Sequence, residues 1–131
     1  MATLEGILQV ANEAGASDIH LTVGVPPKMR VNGSLVDMGY PALEPDDTLA
    51  ISIHIMNQTQ RDIFEEKGEY DMSLTIGGFG RYRVNVFKQR GSIALALRLV
   101  ATEIPHHETL GIPDSVVNLY TRKRGLILVT G

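Results

Sequence analysis

The 131 residues contain no cysteine. That excludes a disulfide framework and a thiolate-bound zinc, and it fits a reducing compartment. Tryptophan is also missing, and only four tyrosines and three phenylalanines are present. A nucleic-acid surface that stacks bases on aromatic rings has little to draw on here. No apolar run approaches the roughly 18 residues of a membrane span. The first segment, MATLEGILQVANEAG, lacks the basic start and apolar core of a signal peptide.

With 44% hydrophobic and 21% charged residues, the composition supports a buried core and argues against disorder. The net charge of −3 averages two unlike parts. Residues 1–76 hold 4 Lys/Arg against 12 Asp/Glu, net −8; residues 77–131 hold 8 against 3, net +5. The chain is therefore not a general polyanion binder, but its second part suits a specific anion.

Leu4, Ile7, Leu8 and Ala11 recur at helical spacing, with Thr3 as N-cap and Gly15 as stop. Ile19, Leu21 and Val23 alternate with Asp18, His20 and Thr22, which predicts a half-buried strand. KMRV and SLVDM flank Asn32-Gly33, the signature of a two-residue hairpin turn. Two helices are expected next, one starting near Asp46 or Asp47 and one capped by Thr59 and ended by Gly68. Three alternating strands follow: EYDMSLTI, RYRVNVF and SIALALRLV, with a GGFG turn after the first and a Lys88–Gly91 loop before the last. ATEIPHHETLGIP carries two prolines and no clear period, and reads as a linker. Then come a short helix capped by Asp114 and ended by Gly125, and LILVT as a strand buried on both faces. The expectation is an α+β domain over residues 1–100, a linker over 101–113, and the opening of a second domain over 114–131.

The hairpin 81–100 makes the sharpest local statement. Tyr82, Val84 and Val86 share one face of their strand; Ile93, Leu95, Leu97 and Leu99 share one face of theirs. These apolar faces must coincide to build a core, which sets the parity of the register. Tyr82 opposite Leu99, Val84 opposite Leu97 and Val86 opposite Leu95 satisfies it. That register places Arg83 directly across from Arg98, with Arg81 on the same face. Like charges so placed repel. One reading is a preformed anion site, since guanidinium forks match phosphate or carboxylate. The other is a solvated or interface face whose charges pair with acids elsewhere, such as segment 62–71.

Other residues carry less. Asp18 and His20 suit internal hydrogen bonds or an acid/base pair without a third partner. His54 reads as a partly buried, inert helix residue. Arg122-Lys123-Arg124 complements a helix end. His106 and His107, with Glu103 and Glu108 nearby, suggest a metal, but adjacent residues rarely bind one ion well, so no metal site is expected. LILVTG is how a strand-loop-helix phosphate cradle begins, but the lysine and Ser/Thr of GxxxxGK[ST] do not appear in the sequence.

Taken in order, GASDIHLTVGVPPKMRVNGSL, IMNQTQRDIFEEKGEYDMSL, GGFGRYRVNVFKQRG and RGLILVTG resemble the N-terminal part of the type IV pilus retraction (twitching motility, PilT-like) ATPases. These belong to the hexameric secretion ATPases of type II and type IV systems. The resemblance spans essentially the whole chain. It implies a PAS-like antiparallel sheet flanked by helices, a linker, and the first helix and strand of a RecA-like ATPase domain, truncated at Gly131, the first glycine of Walker A. It implies that Arg83 and Arg98, from the RVN and LRL motifs, contact the phosphates of ATP when the domain closes. Arg81 and Arg90 are weaker candidates by proximity. It further implies a homohexamer contacting its own and neighbouring RecA-like domains, with ATP and Mg in the intact parent and no cofactor in this stretch. The pilus assembly platform protein would be its partner at the cytoplasmic side of the bacterial inner membrane. The stretch itself is expected neither to bind ATP tightly nor to hydrolyse it. HHETLGIP departs from the family's more acidic or Thr-containing linker. The alternatives from other classes are a stand-alone PAS-like ligand-binding or protein-interaction module and, third, a metal-binding domain using His106 and His107.

Overall fold

The computed structural model describes residues 2–131, in two units divided after Val100. The larger one begins with helix α1 (Leu4–Glu13), where the Thr3 hydroxyl accepts a hydrogen bond from the Gly6 N–H at 3.2 Å. Strands β1 (Asp18–Leu21), β2 (Lys28–Val31) and β3 (Ser34–Asp37) follow. Asn32 and Gly33 turn between the last two with φ of 49° and 83°, the positive pair that a type I′ hairpin demands.

Helix α2 (Pro45–Ile55) starts one or two residues before the expected aspartates. Glu44 and Asp47 form a capping box there, and the ring of Pro45 suits the first turn, which needs no N–H donor. Helix α3 (Gln58–Lys67) is capped by Asn57 rather than by Thr59. Asn57 and Gln60 satisfy each other's backbone N–H groups at 2.9 Å. An amide two positions earlier, with a glutamine three residues on, outcompetes a lone threonine.

Strands β4 (Glu69–Ile76), β5 (Gly80–Gln89) and β6 (Ser92–Val100) complete an antiparallel six-stranded sheet of order β3-β2-β1-β6-β5-β4. The β5–β6 register is Tyr82↔Leu99, Val84↔Leu97, Val86↔Leu95 and Arg83↔Arg98, as the apolar parity requires. Its loop is shorter than Lys88–Gly91: Gln89 pairs Ser92, leaving Arg90 and Gly91 as the turn with φ of 51° and 77°. The chain's two halves meet at the centre of the sheet, where β1 pairs β6.

One face of the sheet holds the core. Ile7 and Leu8 of α1, Ile51 and Ile55 of α2, and Phe64 of α3 join Ile19, Leu21, Val84, Val86, Leu95 and Leu97 of the strands in one buried cluster. β4 puts Tyr70, Met72, Leu74 and Ile76 on this side, but as an edge strand it buries them only partly. β1 is not the half-buried strand its alternation predicts. It lies between two strands, and Asp18, on the polar side, is buried as well.

In the unit Ala101–Gly131, a 3-10 turn (His107–Leu110), a short helix α4 (Asp114–Val117) and a second 3-10 turn (Asn118–Thr121) are the regular elements. Pro113 stands at the N-cap and Asp114 is already helical. The expected strand LILVT is not formed: residues 126–130 carry no ladder pairing and are exposed. A strand of a parallel sheet exists only through its neighbours, and among the described residues none pairs with it.

Candidate functional site

The face of the sheet turned away from the core carries a polar row. Successive strand partners are Arg30 of β2, Asp18 of β1, Arg98 of β6, Arg83 of β5 and Ser73 of β4. Partnered residues share a side of the sheet, so four charged side chains from four strands line up across it. The adjacent row runs Lys28, His20, Ala96, Asn85, Asp71. An open cavity of about 320 Å³ sits over these rows, lined by Asp18, His20, Asp71, Arg83, Asn85 and Arg98 among others. The small side chain of Ala96 leaves the space.

Asp18 organises the row. Its Oδ1 accepts a hydrogen bond from Arg98 Nε at 2.8 Å, its Oδ2 accepts one from the Ser17 hydroxyl at 2.8 Å, and Arg30 Nε lies 3.9 Å away. Burial opposes ionisation of this carboxyl. The hydrogen bonds from Arg98 and Ser17, with the charges of Arg98 and Arg30, outweigh that and hold it below the usual carboxylate range. The two arginines are thus unequal. Arg98 is tethered through Nε, while its side chain stays 75% exposed. Arg83 is exposed and makes no ion pair among the described residues. The cavity also holds a polar atom without a partner: His20 Nε2 is buried and unbonded.

The acids of segment 62–71 do not neutralise this pair. Glu65 takes Lys88 at 2.8 Å instead, and Arg98 finds Asp18. Asp71 shares the cavity with Arg83 without an ion pair. Arg81 is on the same side of β5, two residues from Arg83 and opposite Val100. Arg90 is not brought to the cavity: it lies in the β5–β6 turn, seven residues along, and borders a separate cleft with Thr22, Val25 and Gln89. His54 is exposed rather than partly buried, with its Nε2 3.6 Å from Glu5. Gly131 lies in the unit without core residues. The sequence placed Asp18 and His20 on a polar strand face but could not name Arg98 as the aspartate's partner. The one available signal was the lone acid at the head of a short alternating strand, DIHL.

No protein-family model matches the chain. The type IV pilus ATPase PilU of Pseudomonas aeruginosa is 37% identical over 127 residues, which is 97% of this chain and 33% of PilU. The type IV pilus retraction ATPase PilT of the same organism is 37% identical over 125 residues, 95% of this chain and 36% of PilT. Among solved structures, the pilus retraction motor PilT with bound ADP superposes with a TM-score of 0.79 at 46% identity, covering 100% of this chain and 38% of that one. The chain thus spans about a third of the length of these relatives. By sequence and by fold, it resembles the N-terminal domain of the type IV pilus retraction ATPases, within the type II and type IV secretion ATPase superfamily.

Proposed function

We propose that this chain serves as the N-terminal PAS-like domain of a hexameric ATPase motor that powers type IV pilus retraction at the cytoplasmic face of the bacterial inner membrane. Residues 1–100 form the PAS-like domain in this reading. Residues 101–113 are the linker, and 114–131 open a RecA-like ATPase domain whose Walker A loop starts at Gly131. Its partners are the ATPase domains of its own and neighbouring subunits, and the pilus assembly platform protein. Hydrolysis of ATP with Mg belongs to the ATPase portion, since Walker A and B are not in these residues.

The observation that carries the chemical part is the Arg83–Arg98 pair at an open cavity. Two guanidinium groups opposed on a sheet cost stability, and a built cost of this kind is repaid when an anion sits between or above them. Asp18 holds Arg98 by Nε alone, so its two terminal nitrogens remain to donate to a phosphate. Arg83 is free to reach further. Arginines so placed offset negative charge on a transferring phosphoryl group. Asp18 is a positioning residue here, acting through Arg98.

The test is a chimera. Residues 1–131 replace the homologous third of P. aeruginosa PilT, and twitching motility and ATP hydrolysis are measured. The reading predicts that both are restored. A folded, hexameric chimera that hydrolyses ATP but supports no retraction removes the motor assignment, and leaves a binding module as the better account.

A further inference from the structure

We infer that His106, His107 and Glu108 form a binding site for one borderline divalent transition-metal ion, of which Zn²⁺ is the type. Adjacency argues against such a site in a regular element, where neighbouring side chains diverge. The backbone here is not regular. His106 is extended (φ −64°, ψ 139°) and the 3-10 turn begins at His107. The change of conformation between them brings the two rings together, with centroids 4.4 Å apart and planes inclined by 36°.

One donor atom from each of the three side chains lies within 4.8 Å of the others, and His106 Nδ1 stands 3.7 Å from Glu108 Oε2. Donors around a tetrahedral zinc with bonds of about 2.0–2.1 Å are spaced about 3.4 Å apart. Small side-chain rotations close the difference. Two imidazoles and a carboxylate suit zinc, nickel or copper rather than magnesium or calcium. They leave a fourth position to water or another ligand.

A second observation points the same way. His107 Nε2 is engaged by the Asp114 carboxylate at the first residue of α4. That bond orients the ring and leaves Nδ1 for an ion, which is the carboxylate–histidine–metal arrangement. The turn is itself held by Thr109 N–H and Oγ1 on the His106 carbonyl, and by the Gly111 N–H on that of Glu108. No residue of Ala101–Gly131 is buried. A unit without a core is the kind that a metal staple stabilises, and the ion would tie the turn to the start of α4.

The experiment is a calorimetric titration of the tag-free 131-residue chain with ZnCl₂. One saturable equivalent is expected. His106→Ala and His107→Ala should each weaken it at least about tenfold, and Asp114→Asn by about tenfold through the orienting bond. His20→Ala and His54→Ala serve as controls and should bind as the parent does. Circular dichroism confirms that each variant keeps its sheet. No saturable binding, or binding that survives both linker substitutions or disappears with either control, overturns the site.

Discussion

Asp18 of β1 and Arg98 of β6 stand 80 positions apart in the chain and directly across from each other in the sheet, joined by a 2.8 Å hydrogen bond from the guanidinium Nε. This contact closes the sheet between its two halves, and it aims one member of the arginine pair. Since the folded state lowers the Asp18 pKa, its contribution is complete above the unfolded value near 3.9 and is lost as pH falls through the folded value. Chemical denaturation at pH 7 should find Asp18→Asn less stable by on the order of 1–3 kcal/mol. The gap should begin to close below about pH 4 and vanish once the pH is below the folded value. A gap that persists unchanged in acid would mean that the carboxylate charge is not what stabilises the sheet.

Arg83 and Arg98 should respond to truncation with opposite signs. Removing Arg98 deprives the buried Asp18 of its donor, costing about 1 kcal/mol once the exposure of the arginine is taken into account. Removing Arg83 relieves a cross-strand repulsion, so Arg83→Ala should be neutral or stabilising by roughly 0.2–1 kcal/mol. Arg83→Glu, which makes an opposite-charge pair with Arg98, should stabilise the chain more. Urea midpoints of the three variants decide the matter.

The β5–β6 turn offers a test of backbone strain. Arg90 occupies φ 51° and Gly91 φ 77°, and left-handed backbone costs a side-chain-bearing residue about 1–2 kcal/mol. Gly91→Ala should destabilise by about that amount. Arg90→Asn, which places the residue most tolerant of this region beside the glycine, should stabilise. Thermal melting of both variants reads the result.

Asn57 caps α3 and shares a capping box with Gln60. Asn57→Ala should cost about 1 kcal/mol, whereas Thr59→Ala should cost much less. Equal losses by denaturant titration would return the cap to Thr59.

Local order was the legible part of this molecule. The Tyr82–Leu99 register followed from parity alone, because one apolar face on each strand of a hairpin leaves few alternatives. The placing of β1 beside β6 was not legible, because nothing local in DIHL names a partner 80 residues away. The same gap hid the neutralisation of Arg98. Both arginines were visible as a pair, but only the tertiary pairing shows that one is tethered and the other free. Asn57 and Thr59 are both good caps by type, and the choice between them rests on Gln60. LILVT has the composition of a buried strand, yet a strand also needs neighbours, and composition does not supply them.

If the opposed arginines serve a nucleotide phosphate, the steady-state kcat for ATP hydrolysis by the PilT chimera carrying residues 1–131 shows it most directly. Arg83→Ala and Arg98→Ala should each lower kcat by about 10²-fold or more with a smaller change in KM, while the hexamer is retained and the melting temperature moves only slightly, down for Arg98→Ala and level or up for Arg83→Ala. An unchanged kcat in both variants would contradict it.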